Sequence, residues 1–241
     1  MDGWENPDVD LLKGVNSLTR HSPDWLRTTL EHVGEYGLLA ALVLLCGLTW
    51  WRVGRVTSDR GVRAARAAVL WAPVAALLAL VVNVPIRAFV ERPRPFTDHD
   101  LAVLGGGHTD YSFVSDHTAL AMAVAVALLL AHRRLGLVGF ALALAEAFCR
   151  LYAGVHYPTD VLGGMALGAT VTLLLAPLGI WALTPVVARL ERGPSSRPEP
   201  GVPAPVPAPA PSSESDRAEQ AGLASTGGST PPPPYDRDLA A

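Results

Sequence analysis

Residues 115 to 131 read SDHTALAMAVAVALLLA, a polar serine, aspartate and histidine followed at once by an uncharged, almost wholly apolar run. In lipid such a run is satisfied only as a helix, because every backbone N–H and C=O must bond within the segment. That reading fixes the fold class as all-α, a polytopic membrane helical bundle, and it puts reactive side chains at a membrane boundary. Comparable apolar runs lie on either side. Transmembrane helices are expected at about 36 to 53, 67 to 86, 114 to 131, 135 to 151 and 160 to 183, each near the ~20 residues a crossing needs. Pro73 and Pro85 are expected to bend the second, which neighbouring helices can tolerate. Of the 241 residues 50% are hydrophobic and 17% charged, and the apolar ones are gathered in these runs.

Before the first span, Val9, Leu12 and Val15, then Leu26, Leu30 and Val33, recur at helical spacing around a break at His21-Ser22-Pro23. These predict N-terminal amphipathic helices lying in the interface. The expected organisation is an interfacial region over 1–35, a membrane-embedded domain over 36–190, and a disordered proline-rich cytoplasmic tail over 191–241. The tail (GVPAPVPAPAPSSESDRAEQ) is too poor in large apolar residues to order itself and reads as a solubilising extension, with a proline-rich ligand as the alternative. No partner for it is named by the sequence. Asp2, Glu5, Asp8 and Asp10 precede any apolar segment, unlike the basic-then-apolar pattern of a cleaved leader. Cys46 and Cys149, in different runs, give no disulfide framework. No basic stripe with interleaved aromatics suggests nucleic acid.

Arginine placement predicts orientation. Arg52, Arg55, Arg60, Arg63 and Arg66 follow the first span, Arg133 and Arg134 the third, and Arg189, Arg192 and Arg197 the fifth, so these loops are expected inside. The loops from Arg87 to Ser115 and from Arg150 to Asp160 are then expected outside.

Those two loops hold the reactive groups. In CRLYAGVHYPTD, residues 149 to 160, Arg150 can hold a phosphate and His156 can attack it. Asp160 can accept the second imidazole N–H, fixing the tautomer and stabilising the cation that forms. By itself such a histidine and carboxylate at a helix end is more often a structural pair. Upstream, RAFVERPRPF (87 to 96) separates Arg87 from Arg94-Pro95 by six residues. Guanidinium groups suit phosphate because their planar fork donates two parallel bonds and stays charged. Ser115 adds a hydroxyl, and a helix starting there would offer free N–H groups and its positive dipole end to an anion. His117 is placed to protonate a departing oxygen.

Blander readings attach to the neighbours. Single arginines at a boundary commonly snorkel to headgroups, and Arg92 reads as an ordinary surface charge. Glu146, one turn before Arg150, predicts an ion pair that orients that arginine. Asp98, His99, Asp100, His108 and Asp110, with Gly105-Gly106-Gly107, match no standard metal spacing and read as a solvated loop at the substrate entrance. Asp116 is expected to bond at the helix start.

Taken together the three segments resemble the type 2 phosphatidic acid phosphatase superfamily. Its members share Lys, six residues, Arg-Pro; then Ser-x-His; then Ser-Arg, five residues, His, three residues, Asp. The matches are Arg87 with Arg94-Pro95, Ser115 with His117, and Arg150 with His156 and Asp160. The words ERPRPF (91 to 96), SFVSDHT (112 to 118) and HYPTDVLG (156 to 163) look like the bacitracin-resistance type of undecaprenyl pyrophosphate phosphatase. The resemblance implies that His156 is a nucleophile forming a phosphohistidine, His117 the acid toward the leaving group, and Asp160 the partner of His156. It implies that Arg87, Arg94, Arg150 and Ser115 bind phosphoryl oxygens, and that no metal or other cofactor is needed. Arg87 replaces the usual lysine, Cys149 the usual serine and Val114 a common proline; none of these removes a proton-transfer group. The expectation is a multi-pass cell-membrane phosphatase with an extracytoplasmic site, acting on undecaprenyl pyrophosphate. The alternatives are a phosphatidylglycerophosphate or phosphatidate phosphatase and a non-catalytic lipid-binding membrane protein.

Overall fold

The structure, a computed structural model, describes residues 6–55, 59–105 and 110–191. The expected disordered tail from residue 192 on, and Gly106, Gly107 and His108, lie outside the described residues. Every regular element among the described residues is helical.

Helix α1 (Pro7–His21) starts with Asn6 accepting the Asp8 N–H, Pro7 at the first position, and Asp8 and Asp10 near the positive end of the helix dipole. Its buried face is Leu12, Asn16 and Thr19. The Asn16 amide donates to the Ala102 carbonyl at 2.8 Å and accepts the Ala102 N–H at 2.8 Å. Thr19 donates to the Tyr152 carbonyl. Polar bonds thus hold this amphipathic helix to the loop ends beneath it.

Helix α2 (Asp24–His32) runs through a π-helical turn (Val33–Gly37) into α3 (Leu38–Val53), one continuous stretch of 30 residues. The helix is continuous across residue 36, where the sequence places the start of the first span. No proline interrupts His32 to Leu38, so the N–H ladder continues and the wider turn absorbs the register shift.

Helix α4 (Asp59–Val90) spans 32 residues, unbroken at Pro73 and Pro85. After it come the short α5 (Pro95–Asp98), then α6 (Asp116–Ala131), α7 (Arg133–Tyr152) and α8 (Pro158–Glu191). Among the described residues four helical runs are long and apolar enough to cross a membrane, and α6 is a shorter apolar helix of 16 residues. The chain is a multi-pass membrane protein.

The central α6 packs against α4, α7 and α8. Small residues allow this: Ala72, Ala75, Ala79, Ala119, Ala123 and Ala127 are fully buried, as suits helices that approach closely in lipid. At Gly168 an added Cβ would lie 2.2 Å from the Ala119 carbonyl oxygen, so only glycine lets α8 approach α6 this closely. The outer faces are apolar instead of polar, with Leu44, Leu174 and Trp181 each 74% exposed, which is the surface that acyl chains cover. At one end of the bundle Arg63 and Arg66 bind Glu191, and Arg55 stacks over Trp51 at 3.8 Å. The opposite end carries the candidate chemistry.

Candidate active site

Several chain segments converge at that end. The last turn of helix α4 carries Arg87, and the segment after the helix carries Arg92 and Arg94. Helix α6 begins at Asp116 with Ser115 as its N-cap, as the sequence predicts, and presents His117 in its first turn. The last turn of α7 carries Arg150. Gly154, with φ +71°, then turns the chain where a Cβ would meet the Ala102 carbonyl oxygen and the Asn16 amide, both at 2.9 Å. That turn delivers His156, and α8 opens with Asp160 in its first turn.

A cavity of about 240 Å³ is lined by Arg87, Arg94, His117, Arg150 and His156. Ser115 and Asp160 are fully buried behind its wall. The Ser115 hydroxyl has no hydrogen-bond partner among the described residues, and its N–H donates to the Asp160 carbonyl at 3.1 Å. Asp160 sits on α8 and Ser115 leads α6, so this bond ties the starts of the two helices together.

His156 is only 5% exposed. Its Nδ1 lies 2.9 Å from the Ser112 carbonyl oxygen, which can only accept, so Nδ1 carries the proton and Nε2 keeps a lone pair. Burial pushes the imidazole pKa below its ordinary value and favours this neutral form. The geometry corrects one expectation. Asp160 Oδ2 stands 3.7 Å from His156 Nδ1, beyond hydrogen-bond reach, and instead accepts the Tyr157 N–H at 2.9 Å. The Ser112 carbonyl takes the place foreseen for Asp160, which faces the ring as a nearby negative charge.

Arg92 corrects a second. It binds Asp160 Oδ1 at 2.8 Å, Asp8 at 2.6 Å and the Thr159 hydroxyl at 2.6 Å, and stacks over the Tyr157 ring at 3.8 Å. Since Asp160 is fully buried, Arg92 is its counter-ion and no ordinary surface charge.

Every arginine in the cavity already holds a carboxylate. Arg87 pairs with Asp110 at 3.3 Å and with Asp116, and Arg94 pairs with Asp110 at 2.7 Å. Asp110 therefore belongs to the site and departs from the solvated loop foreseen for it. Arg150 lies 3.0 Å from Glu146, the expected ion pair one turn back, and 3.1 Å from Glu35. Glu35 comes from the π turn, with its other oxygen 3.9 Å from His117 Nε2. Among the described residues no three His, Cys, Asp or Glu side chains converge as metal ligands would.

A family model for the PAP2 superfamily matches residues 68–182. Over 167 residues the chain is 30% identical to undecaprenyl-diphosphatase BcrC of Bacillus subtilis, covering 69% of this chain and 81% of that protein. The chain belongs to the PAP2 superfamily. A decaprenylphosphoryl-5-phosphoribose phosphatase of Mycobacterium tuberculosis is 32% identical over 71% of this chain and 90% of its own length. LpxE of Aquifex aeolicus superposes with a TM-score of 0.51 at 22% identity, over 70% of this chain and 94% of its own. A PAP2-type phosphatidylglycerolphosphate phosphatase from Bacillus subtilis gives 0.50 at 24% identity, over 72% and 87%. These two share the fold of this PAP2 protein.

Sequence reading missed three side chains of this PAP2 site. Glu35 and Asp8 stand outside the matched region. Asn83, fully buried in α4, donates to the Val114 carbonyl at 3.0 Å and to Asp116 at 2.7 Å, fixing the entry to α6. A lone amide in the apolar run VVNVPI was the available signal for Asn83.

Proposed function

We propose that this PAP2-superfamily membrane phosphatase hydrolyses a polyprenyl diphosphate, undecaprenyl pyrophosphate above others, to the monophosphate and inorganic phosphate. The observation that carries the reading is the convergence of His156, His117 and three arginines on one cavity at the end of an apolar bundle. Two relatives support the lipid class, since one is named for undecaprenyl diphosphate and the other for a decaprenyl phosphate. So does an apolar groove of about 380 Å³ lined by Leu39, Leu42, Leu77, Leu80 and Leu120. A third hollow shares Leu80 with that groove and Arg87 with the phosphate cavity.

In this reading His156 Nε2 attacks the terminal phosphorus, and the bond to the bridging oxygen breaks. His117 donates a proton to the lipid monophosphate as it leaves. Arg87, Arg94 and Arg150 neutralise the equatorial oxygens, and the Ser115 hydroxyl turns from the wall to donate another bond. The Asp160 charge stabilises the imidazolium character that builds on His156. Water then attacks the phosphohistidine, gives its proton to His117 and releases inorganic phosphate. The site faces the extracytoplasmic side, because the arginine-rich loops lie at the other end.

Phosphate release by purified protein in detergent tests this, with undecaprenyl pyrophosphate, phosphatidylglycerophosphate and phosphatidate compared, with and without chelator. The expected order places the polyprenyl diphosphate first by kcat/KM, with no loss on chelation. A higher value for either glycerolipid, or undiminished turnover by His156→Ala, refutes it. An impermeant thiol reagent should label a cysteine placed at Asp100 on intact cells; protection there reverses the sidedness.

A further inference from the structure

Glu35 has no place in the mechanism above, yet its carboxylate is inside the phosphate cavity. The π turn puts it there. Gly34 lets the turn press on α7, for an added Cβ would lie 2.8 Å from Cys149 Cβ and 3.0 Å from an Arg150 guanidinium nitrogen. One Glu35 oxygen then sits 3.1 Å from Arg150 and the other 3.9 Å from His117. A carboxylate offers an anion's oxygens to the same donors that a phosphoryl group would use.

Arg150 thus faces two carboxylates, and an incoming phosphoryl group must displace one. Glu146 is fully buried and held one turn away on the same helix, so it stays. The Glu35 side chain is 34% exposed and belongs to a different helix, so it is the one that can yield. We propose that Glu35 is a built-in competitor at Arg150 that imposes the same penalty on every phosphate, so that free inorganic phosphate is held too weakly to occupy the site while a phosphate on a membrane-anchored tail still binds.

The physical logic is a common penalty that only a tethered ligand offsets. Any anion entering must first replace an existing ion pair and meet a second negative charge, which lowers the affinity of all phosphates alike. A lipid diphosphate recovers that loss through its buried hydrocarbon chain and through its high concentration within the bilayer. Inorganic phosphate has neither, so the product is expelled once the phosphohistidine is hydrolysed. Glu35 lies outside the family-matched region 68–182, so the device belongs to the N-terminal helices of this chain.

The inference rests on the phosphatase reading, and two measurements keep their failures apart. Calorimetric titration of inorganic phosphate into the detergent-solubilised protein needs no turnover. Glu35→Gln should tighten that binding roughly tenfold, as expected for removing one partly screened charge contact, and inhibition of lipid hydrolysis by inorganic phosphate should strengthen in parallel. Glu35→Asp, which keeps the charge, should return both values toward wild type. Asp24→Asn, the same charge change eleven residues earlier on the continuous helix, should leave both unchanged. Glu35→Ala is made alongside, so that whichever neutral variant folds decides the matter. Phosphate affinity that is unchanged or weaker in the folded neutral variant overturns the proposal. Wild type that releases phosphate from no lipid overturns the phosphatase reading while the titration still reports on Glu35.

Discussion

Replacing Arg92 by alanine tests whether the wall behind His156 depends on a residue outside the shared motif. The substitution removes three hydrogen bonds, to Asp160 Oδ1 at 2.8 Å, Asp8 Oδ2 at 2.6 Å and Thr159 Oγ1 at 2.6 Å, together with the stack on Tyr157. The bond to Asp160 dominates, because that carboxylate is fully buried and would keep only the Tyr157 N–H. Breaking one side of a buried pair costs about 3–5 kcal/mol, and the 25% exposure of Arg92 brings this term down to about 2–3. The Asp8 contact adds about 0.5–1 kcal/mol and the ring stack about 0.5–1. The total is about 3–5 kcal/mol. Arg92→Lys keeps the charge but cannot bridge both carboxylates with one ammonium, so about 1–2 kcal/mol should be lost. Unfolding in mixed micelles with rising denaturing detergent measures these differences, and a cycle with Asp8→Asn isolates the smaller contact. Activity should fall with stability held in excess, because Asp160 loses its fixed orientation beside His156. An Arg92→Ala protein within about 0.5 kcal/mol of wild type, with unchanged kcat, would refute this account.

Ser115→Ala should leave stability unchanged or slightly higher, since the buried hydroxyl has no partner to lose among the described residues, while KM rises roughly tenfold if that hydroxyl serves the phosphoryl group. Equal KM values in the two proteins would remove Ser115 from the site. For pH, burial holds His156 below the ordinary imidazole value of about 6.5, so the folded state takes up its proton less readily than the unfolded chain does. Stability should therefore decline as pH falls below about 6.5. The acid limb of kcat/KM should lie lower still, at the depressed folded value. A His156→Gln variant should lose that part of the pH dependence of stability; retention of the full slope refutes the assignment.

Much of this site was legible because two of its signals are local. An apolar run can be recognised without knowing its neighbours, and the run from Thr118 to Ala131 emerged as a helix with Ser115 at its cap. The spacing of Arg150 and His156 likewise survives folding because one turn connects them. What stayed hidden was set by packing. The Ser112 carbonyl that orients His156 is backbone, and backbone acceptors leave no trace in residue type. Glu35 looked like part of an interfacial helix, since only a π turn aims it at Arg150. Arg92 looked solvated because its partners, Asp8 and Asp160, are far away in sequence on either side.

The contact between Asp8 and Thr159 joins residues 151 positions apart, linking the first helix to the start of the last. A ribosome delivering this chain helix by helix into the membrane therefore holds an incomplete wall around His156 until α8 has emerged. Any nascent chain stalled earlier, whatever part of the bundle it has built, lacks the clamp on Asp160. Under the proposed function, the centre around His156 is complete only at the close of synthesis, and chains stalled before α8 should show no phosphatase activity.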